Sequence, residues 1–203
     1  MKDNSSKQIL LSVLGVAILV VAVVGVSFAA FSYSRTGEKI NQITTGTITM
    51  SYTDVTNGIN ISDALPMSDA NGKLLEDENQ YFDFTVSATI SGTATINYAI
   101  TATKEPDSTL PDNAVKVYLT SAEDATDELV PTKVSELTPI AASDVSGALA
   151  GQFLLKRGTI SSTSSTTYRL RMWIADDYAG AGGSITSQTY KLRVNVYGAA
   201  AAQ

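Results

Sequence analysis

The stretch YFDFTVSATI, residues 81–90, places apolar and polar side chains at alternate positions. Phe82 and Phe84 fall on one face, while Asp83 and Thr85 fall on the other. A period of two sends successive side chains to opposite faces of a β-strand, and aromatic and β-branched residues favour a half-buried sheet surface. The stretch therefore predicts a strand with one face in a core and the other in solvent.

The same alternation recurs before and after this stretch, and Ser and Thr dominate several of the polar faces. The further runs are 48–52, 94–103, 115–119, 168–174 and 190–197. Turn-forming pairs such as Asn57-Gly58 separate the runs. Many strands with one polar face each predict an all-β, two-sheet sandwich, and the pattern leaves jelly-roll and immunoglobulin-like topologies open.

Several connecting segments carry local predictions of their own. Ser161–Thr167 is almost pure Ser and Thr and could be an extended polar edge, but a solvated loop is the simpler interpretation. Pro131 also indicates a loop. The Gly-rich stretch Ala179–Gly183 predicts a hairpin connection between the last two long strands. Lys133–Leu137 and Ala141–Leu149 are each predicted to form a short helix.

The N-terminal region contains a long apolar run, Ile9–Phe31, without a single charge. As a helix it would measure about 30–35 Å, which suffices to cross a bilayer. The polar, weakly basic start Met1–Lys7 is typical of an export signal, and the small residues Ser27 and Ala29 would permit cleavage after Ala29. The alternatives are a retained membrane anchor and a buried core helix. The last is disfavoured because the run is apolar on every face.

These features divide the chain into four predicted parts. Residues 1–31 form a signal peptide or transmembrane anchor, and residues 32–46 form an N-terminal linker or donor segment. Residues 47–198 form the sandwich domain, and residues 199–203 form a C-terminal tail. An extracellular or cell-surface location follows, with the protein membrane-anchored through residues 9–31 before cleavage or if the leader is not cleaved.

The composition excludes several kinds of function. The chain has 14 basic and 20 acidic residues, a net charge of −6, and neither Cys nor His. An acidic surface repels phosphate, so nucleic acid is not an expected partner. Without Cys and His there is no disulfide, no thiolate chemistry and no imidazole base. The His-dependent zinc motif and the phosphate-binding P-loop are absent, as is the G-x-S-x-G nucleophile motif. The sequence predicts a protein that is not an enzyme and has no cofactor.

Paired carboxylates could in principle cleave glycosides, so their positions matter. Every candidate lies in or beside a predicted loop, and surface loops are the preferred interpretation. The clusters are Glu76, Asp77, Glu78 and Asp83; Glu123, Asp124, Asp127 and Glu128; and Asp176 with Asp177. No catalytic, cofactor-binding or metal residue is therefore assigned.

One acidic segment partly matches a calcium-binding loop. Asp69, Asn71, Gly72 and Glu78 occupy positions 3, 5, 6 and 12 of the EF-hand pattern, but Met67 stands at the first ligand position. Weak calcium binding near Asp69, Asn71 and Glu78 stays open, and an Asn-Gly turn followed by an acidic loop is the simpler interpretation.

The only Trp, Trp173, shares a predicted strand face with Arg169 and Arg171. It could be an exposed aromatic that binds a sugar or a partner. A strand-surface Trp covered by a loop or by a neighbouring Arg is the favoured interpretation.

Three short motifs together suggest a family. The apolar run ends in Ala29–Phe31, is followed by SYSRTG at Ser32–Gly37, and then by ITTGTI at Ile43–Ile48. Over residues 15–52 this order resembles the TasA/camelysin group of exported proteins from Gram-positive bacteria.

The resemblance implies a jelly-roll-like sandwich, removal of the leader by a dedicated signal peptidase, and a place in the extracellular matrix or on the cell surface. Better-known members build biofilm fibres, in which the N-terminal segment of one subunit completes the sheet of the next. The corresponding donor segment here would be Phe31–Thr45. Some members carry a metalloprotease label, which is not transferred because this chain has no His.

The leading functional prediction is an exported, non-enzymatic structural protein that self-associates into filaments by β-strand addition. The first alternative is a membrane-tethered adhesin or ligand-binding module. The second is a pilin-like subunit, although the Gly and Glu that normally flank the pilin cleavage point are missing near Lys7-Gln8.

Overall fold

The computed structural model describes residues 32–36, 43–45, 48–56, 59, 64–91, 94–180 and 188–201. Within these ranges the regular secondary structure is almost entirely β-strand. Its strands are β1 (Ser32–Thr36), β2 (Ile43–Thr45), β3 (Ile48–Asp54), β4 (Tyr81–Ile90), β5 (Ile96–Lys104), β6 (Val115–Ser121), β7 (Asp127–Lys133), β8 (Phe153–Ile160), β9 (Ser164–Ile174) and β10 (Leu192–Ala200). The helical pieces are the short helix α1 (Asp69–Gly72) and two 3-10 turns, Asp112–Ala114 and Val134–Glu136.

The strands form two antiparallel sheets, which confirms the predicted all-β, two-sheet architecture. Sheet A has the order β1-β10-β5-β8, and sheet B has the order β2-β3-β4-β9-β6-β7. The pairings nest along the chain: β1 pairs with β10, β4 with β9, β5 with β8, and β6 with β7. Early and late segments are therefore neighbours throughout the fold.

The core lies between the inner faces of the two sheets. Phe84 of β4 is fully buried, and its ring contacts Tyr52 of β3 and Tyr168 of β9 at centroid distances of 5.6 and 5.7 Å. The Tyr168 hydroxyl lies 3.0 Å from that of Tyr98 on β5 in the opposite sheet. Burying two hydroxyls is tolerable because each satisfies the other. The alternation seen in residues 81–90 thus corresponds to an inner, apolar face.

Two chain segments cover parts of the outer faces. Residues 64–80, called the strap, lie on sheet B, where Leu75 packs against Tyr118 and Trp173. Residues 137–152, called the cover segment, lie on sheet A, where Ile140 and Ala148 pack in a cluster with other buried residues of the sheet. Each sheet therefore buries apolar side chains on part of its outer face as well.

Several local predictions were wrong. The last two long strands do not form a hairpin, because β9 belongs to sheet B and β10 to sheet A. Ser164–Thr167 is not a loop but the start of β9, paired with β4, and Pro131 lies within β7. Ala141–Leu149 forms turns rather than a helix, whereas the predicted helix over Lys133–Leu137 corresponds to a 3-10 turn.

The apolar helix predicted over Ile9–Phe31 lies outside the described residues. In the part of the chain that is described, no helix is long and apolar enough to cross a membrane.

Candidate functional site

The most distinctive feature of sheet A is the way β1 occupies its edge. The central strand β10 pairs with β5 along Leu192–Ala200, and with the described part of β1 along Asn195–Ala199. The five residues of β1 are the N-terminal end of the described chain. The outer side of β10 is thus covered by a short strand from the region predicted as a donor segment.

Pairing of this kind depends on main-chain hydrogen bonds, so any strand of suitable pattern can replace β1. If β1 left, β10 would expose a row of N–H and C=O groups beside an inner face that includes Val194 and Val196. An edge of that sort is a template for another chain.

The edge of sheet B formed by β7 is poorly suited to accept a further strand. Pro131 interrupts β7 and cannot donate a main-chain hydrogen bond. The register of β7 with β6 also shifts twice. Irregular edge strands that contain Pro resist addition of further strands. At the other end of sheet B, the described part of β2 has only three residues.

The β8 edge of sheet A is partly occupied by the cover segment. Leu154 N–H donates to Thr138 O at 2.9 Å, and Ile140 N–H donates to Gln152 O at 2.8 Å. Further along β8, Lys156 and Arg157 form ion pairs with Glu128 and Asp144. Charges on an edge strand oppose pairing with a second chain. The side of β10 that β1 covers is therefore better suited to strand exchange than the β7 or β8 edge.

A cleft of about 1320 Å³ opens between the sheets at the end where β10 begins. Its walls include Tyr52, Phe82 and Met172 from sheet B and Leu192 and Val194 from sheet A. Its lining also includes six charged residues: Asp54, Glu78, Glu105, Asp107, Lys191 and Arg193. The cleft thus brings apolar and charged side chains together, as ligand sites often do.

Trp173 is not an exposed binding residue. Its side chain is 3% exposed and lies beneath the strap, with Gly72 directly against the indole. The neighbouring Arg171 is also buried, and its Nε–H donates to Leu75 O at 2.7 Å. The interpretation of Trp173 as a covered strand-surface residue is confirmed, and the exposed-aromatic alternative is wrong.

Three of the clustered carboxylates form ion pairs with basic residues of other segments. Asp83 is buried and accepts two hydrogen bonds, each 2.8 Å, from Arg169. Lys73 pairs with Asp127 at 3.1 Å, and Lys133 pairs with Asp177. Other members of the clusters are exposed: Glu76, Asp77, Glu78, Glu123 and Asp124. In the described structure, Asp83, Asp127 and Asp177 therefore link separate segments of the chain.

One of these pairs also involves a tyrosine. The Tyr118 hydroxyl donates to Asp127, and burial together with this hydrogen bond raises the pKa of Tyr118 to about 12. The same hydrogen bond, with the Lys73 charge, lowers the pKa of Asp127. This contact joins β6 to β7.

The calcium-like segment has a different role in the described structure. Asp69 begins α1, and its carboxylate accepts from Lys116 Nζ at 2.7 Å. Asn71 and Glu78 are exposed. Among the described residues, no group of three acidic side chains could hold a metal ion. The predicted Asn71-Gly72 turn is the end of α1, and calcium binding there stays without support.

Asp144 provides a test of how the cover segment is held. Burial acts to raise its pKa, but hydrogen bonds from Ser146 and the charge of Arg157 outweigh burial and lower the pKa below the ordinary 3.8. A lowered pKa stabilises the fold fully above the pKa of the unfolded state, and this stability is lost as the pH falls through the folded-state pKa. Asp144→Asn should therefore lower the free energy of unfolding by about 1–2 kcal/mol at neutral pH.

Urea unfolding of the wild type and of D144N at several pH values checks this prediction. The difference between the two proteins should shrink as the pH falls below 3.8, because the wild-type carboxylate then becomes protonated. An equal difference at neutral and strongly acidic pH would contradict it.

No sequence pattern singled out Asn195, which is fully buried on β10 with its Oδ1 unpaired. Its place in an alternating run marked it only as a polar, outward residue.

Comparison of the chain with protein families, with curated proteins and with solved structures found no match.

Proposed function

We propose that this protein is an exported, non-enzymatic structural subunit that assembles into filaments by strand addition at the β10 edge. In the assembly, β1 of one subunit leaves its own β10 and pairs with β10 of the next. Its proposed location is the cell surface or the extracellular matrix, as in the TasA/camelysin group that residues 15–52 resemble. Signal peptidase and the membrane, through residues 9–31, are the proposed partners during export.

The observation that carries this proposal is the position of β1. It lies at the edge of sheet A, and its described residues pair antiparallel with β10 along Asn195–Ala199. Moving it to a neighbouring subunit would re-form the same pairing, so exchange changes the free energy little while it links the two chains. Pro131 in β7, and the cover segment and charges along β8, disfavour strand addition at those two edges. This supports filament growth through β10.

A jelly-roll topology is the proposed form of the sandwich. Apart from β2 and β3, the strands pair as first with last and then inward, as they do when one long antiparallel hairpin is rolled into two sheets. The first strand of such a roll lies on an edge beside the last, which is the arrangement that strand exchange requires.

A surface binding module is the second candidate, and the cleft at the start of β10 is the observation that favours it. Its size and apolar walls suit a small ligand or an extended peptide. The cleft adjoins Leu192 and Val194, where β10 pairs with β5 but not with the described part of β1. A donor strand longer than β1 would reach the same place, so the cleft does not weigh against the filament proposal. No described feature favours the pilin-like alternative.

The test is to isolate the exported protein, sequence its N-terminus and image it by negative-stain electron microscopy. A start near Ala30 with regular filaments is the expected result, since cleavage there frees β1 at the end of the chain. A product that keeps Ile9–Phe31 and stays monomeric at high concentration would favour the tethered binding module. A start near Gln8 would favour the pilin-like subunit.

A further inference from the structure

The strap carries an Asn-Gly pair, Asn71-Gly72, at the point where it touches sheet B. The Asn71 side chain is exposed, whereas Gly72 is buried directly against the indole of Trp173. Because Gly has no Cβ, its main-chain nitrogen is the least hindered of any residue that can follow an Asn. The pair therefore combines a solvent-accessible amide with a neighbouring nitrogen that can attack it.

The reaction open to this pair needs only water. The Gly72 main-chain nitrogen bonds to Asn71 Cγ, and the side-chain nitrogen of Asn71 leaves as ammonia with the proton from the Gly72 N–H. Water then opens the resulting cyclic imide at either carbonyl, which gives Asp or isoaspartate at position 71. In isoaspartate the main chain runs through the former side-chain carbon, so the chain between positions 71 and 72 becomes longer by a methylene group.

The docked strap holds the attacking nitrogen in place. The Gly72 N–H donates to Ser68 O at 2.9 Å, and Lys73 N–H donates to Asp69 O at 3.0 Å. A nitrogen that donates in this way stays in helical geometry and is not free to approach Asn71 Cγ. However, α1 has only four residues, and a helix of that length does not persist in isolation. The protecting hydrogen bond therefore lasts only as long as the strap stays on sheet B.

Few contacts of the described strap keep it docked. Leu75 packs on Trp173, and the Arg171 Nε–H donates to Leu75 O at 2.7 Å. Lys73 and Asp127 form a partly exposed ion pair, and pairs of that kind contribute little. Docking also leaves Trp173 Nε1 buried without a hydrogen-bond partner among the described residues, which favours opening because water can then bind it. Segments held in this way open locally before the sheets unfold.

We propose that Asn71 is a self-modification site, at which ring closure with Gly72 takes place when the strap leaves Trp173 and makes that opening permanent. After conversion to isoaspartate, the longer main chain no longer places Gly72 against the indole while Ser68 and Leu75 keep their positions. The modified residue is a lasting chemical mark of strap opening. The reaction needs no second subunit, so it goes beyond the proposed filament function and does not rest on it.

The first test compares the full-length protein, purified in detergent, with a synthetic peptide of residues 66–76, which has no sheet to dock on. Both are incubated in mildly alkaline buffer, and peptide mapping by mass spectrometry follows the loss of ammonia and the gain of water at Asn71. The protein should react about tenfold or more slowly than the peptide, because only the open fraction reacts. Equal rates would overturn the proposal, since the strap would then give no protection.

Two neighbouring leucines supply matched variants that leave the Asn-Gly pair intact. Leu75→Ala removes the contact with Tyr118 and Trp173 and should raise the rate at Asn71 by about tenfold or more. Leu74 is 72% exposed, so Leu74→Ala should stay within about twofold of the wild type. Far-UV circular dichroism checks that the sheets remain folded. Equal rates in L75A and L74A would overturn the proposal; if L75A does not fold, the comparison of the protein with the peptide still decides.

The permanence of opening is tested on the modified protein itself. Anion exchange separates it, because both products add a negative charge, and the emission of Trp173, the only Trp, reports on the strap. The modified fraction should emit at longer wavelength and keep that emission after return to the starting buffer. Asn71→Gln, incubated in the same way, is the control, since its longer side chain closes a ring far more slowly and its emission should not shift. A modified fraction with wild-type emission would overturn the proposal.

Discussion

A disulfide that joins β1 to β10 within one chain should abolish filament growth, and reduction of that disulfide should restore it. Ser32 and Ala199 are register partners at the outer end of the pairing. Paired residues in antiparallel strands lie about 4.5–5.5 Å apart between Cα atoms, within the range that a disulfide spans. In oxidised S32C/A199C, β1 cannot leave its own sheet, and the β10 edge stays closed.

Light scattering and electron microscopy before and after reduction measure the effect. Each single variant, S32C and A199C, tests for effects of the substitutions alone. A matched control is Thr85→Cys with Thr167→Cys, which joins β4 to β9 in sheet B and leaves β1 free; it should assemble like the wild type. Filament growth by oxidised S32C/A199C at the rate of the reduced protein would rule out strand donation through β1.

Sequence analysis predicted best the strands that pair with a neighbouring strand on each side in the sheet. In β4, alternation is clear because one face meets the core and the other meets solvent or polar neighbours. β9 also alternates, although the strap covers Trp173 on its outer face. The alternation of apolar and polar residues in these strands reflects which side chains are buried, and burial is a property of each residue. For this reason the two-sheet architecture could be inferred without knowledge of any pairing.

The strands that sequence analysis missed lie on edges. Neither β7 (DELVPTK) nor β8 (FLLKRGTI) shows strict alternation of apolar and polar residues, so a period of two does not mark either strand in the sequence. The sequence pattern also did not show which of the two sheets each strand belongs to. Adjacent strands such as β9 and β10 join different sheets because their partners are distant in the chain, and local periodicity contains no record of distant partners.

The candidate site was accessible from the sequence only in part. The predicted export signal and the order of motifs suggested Phe31–Thr45 as a candidate donor segment. The register of Thr36 with Asn195, however, depends on how the whole sandwich closes. The environment of Trp173 shows the same limit. Its burial requires the strap, which is about a hundred residues away in sequence and packs there through a glycine.

Gly72→Ala should detach the strap from sheet B and expose Trp173. A Cβ at position 72 would lie 2.3 Å from two ring atoms of the Trp173 indole. The indole is held between the strap and β6, where Tyr118 packs edge-on at 6.5 Å between centroids, so it cannot easily move away. The backbone of the strap must shift instead, and the contact from Arg171 Nε–H to Leu75 O should be lost.

Two opposing effects determine the sign of the stability change. Replacing Gly by Ala in a helix stabilises it by about 0.5–1 kcal/mol when there is space for the methyl group. Inserting a methyl group into a closely packed contact costs about 1–3 kcal/mol. Since α1 has only four residues and the approach to Trp173 is far below van der Waals contact, the packing cost should dominate.

Fluorescence reports the outcome directly, because Trp173 is the only Trp in the chain. The emission of G72A should shift to longer wavelength under native conditions, while the far-UV circular dichroism of the β-sheets stays unchanged. Asn71→Ala is the matched control, since Asn71 is exposed in the same helix and its substitution places no atom against the indole. An unshifted spectrum together with increased stability in G72A would mean that the strap does not lie on Trp173 as described.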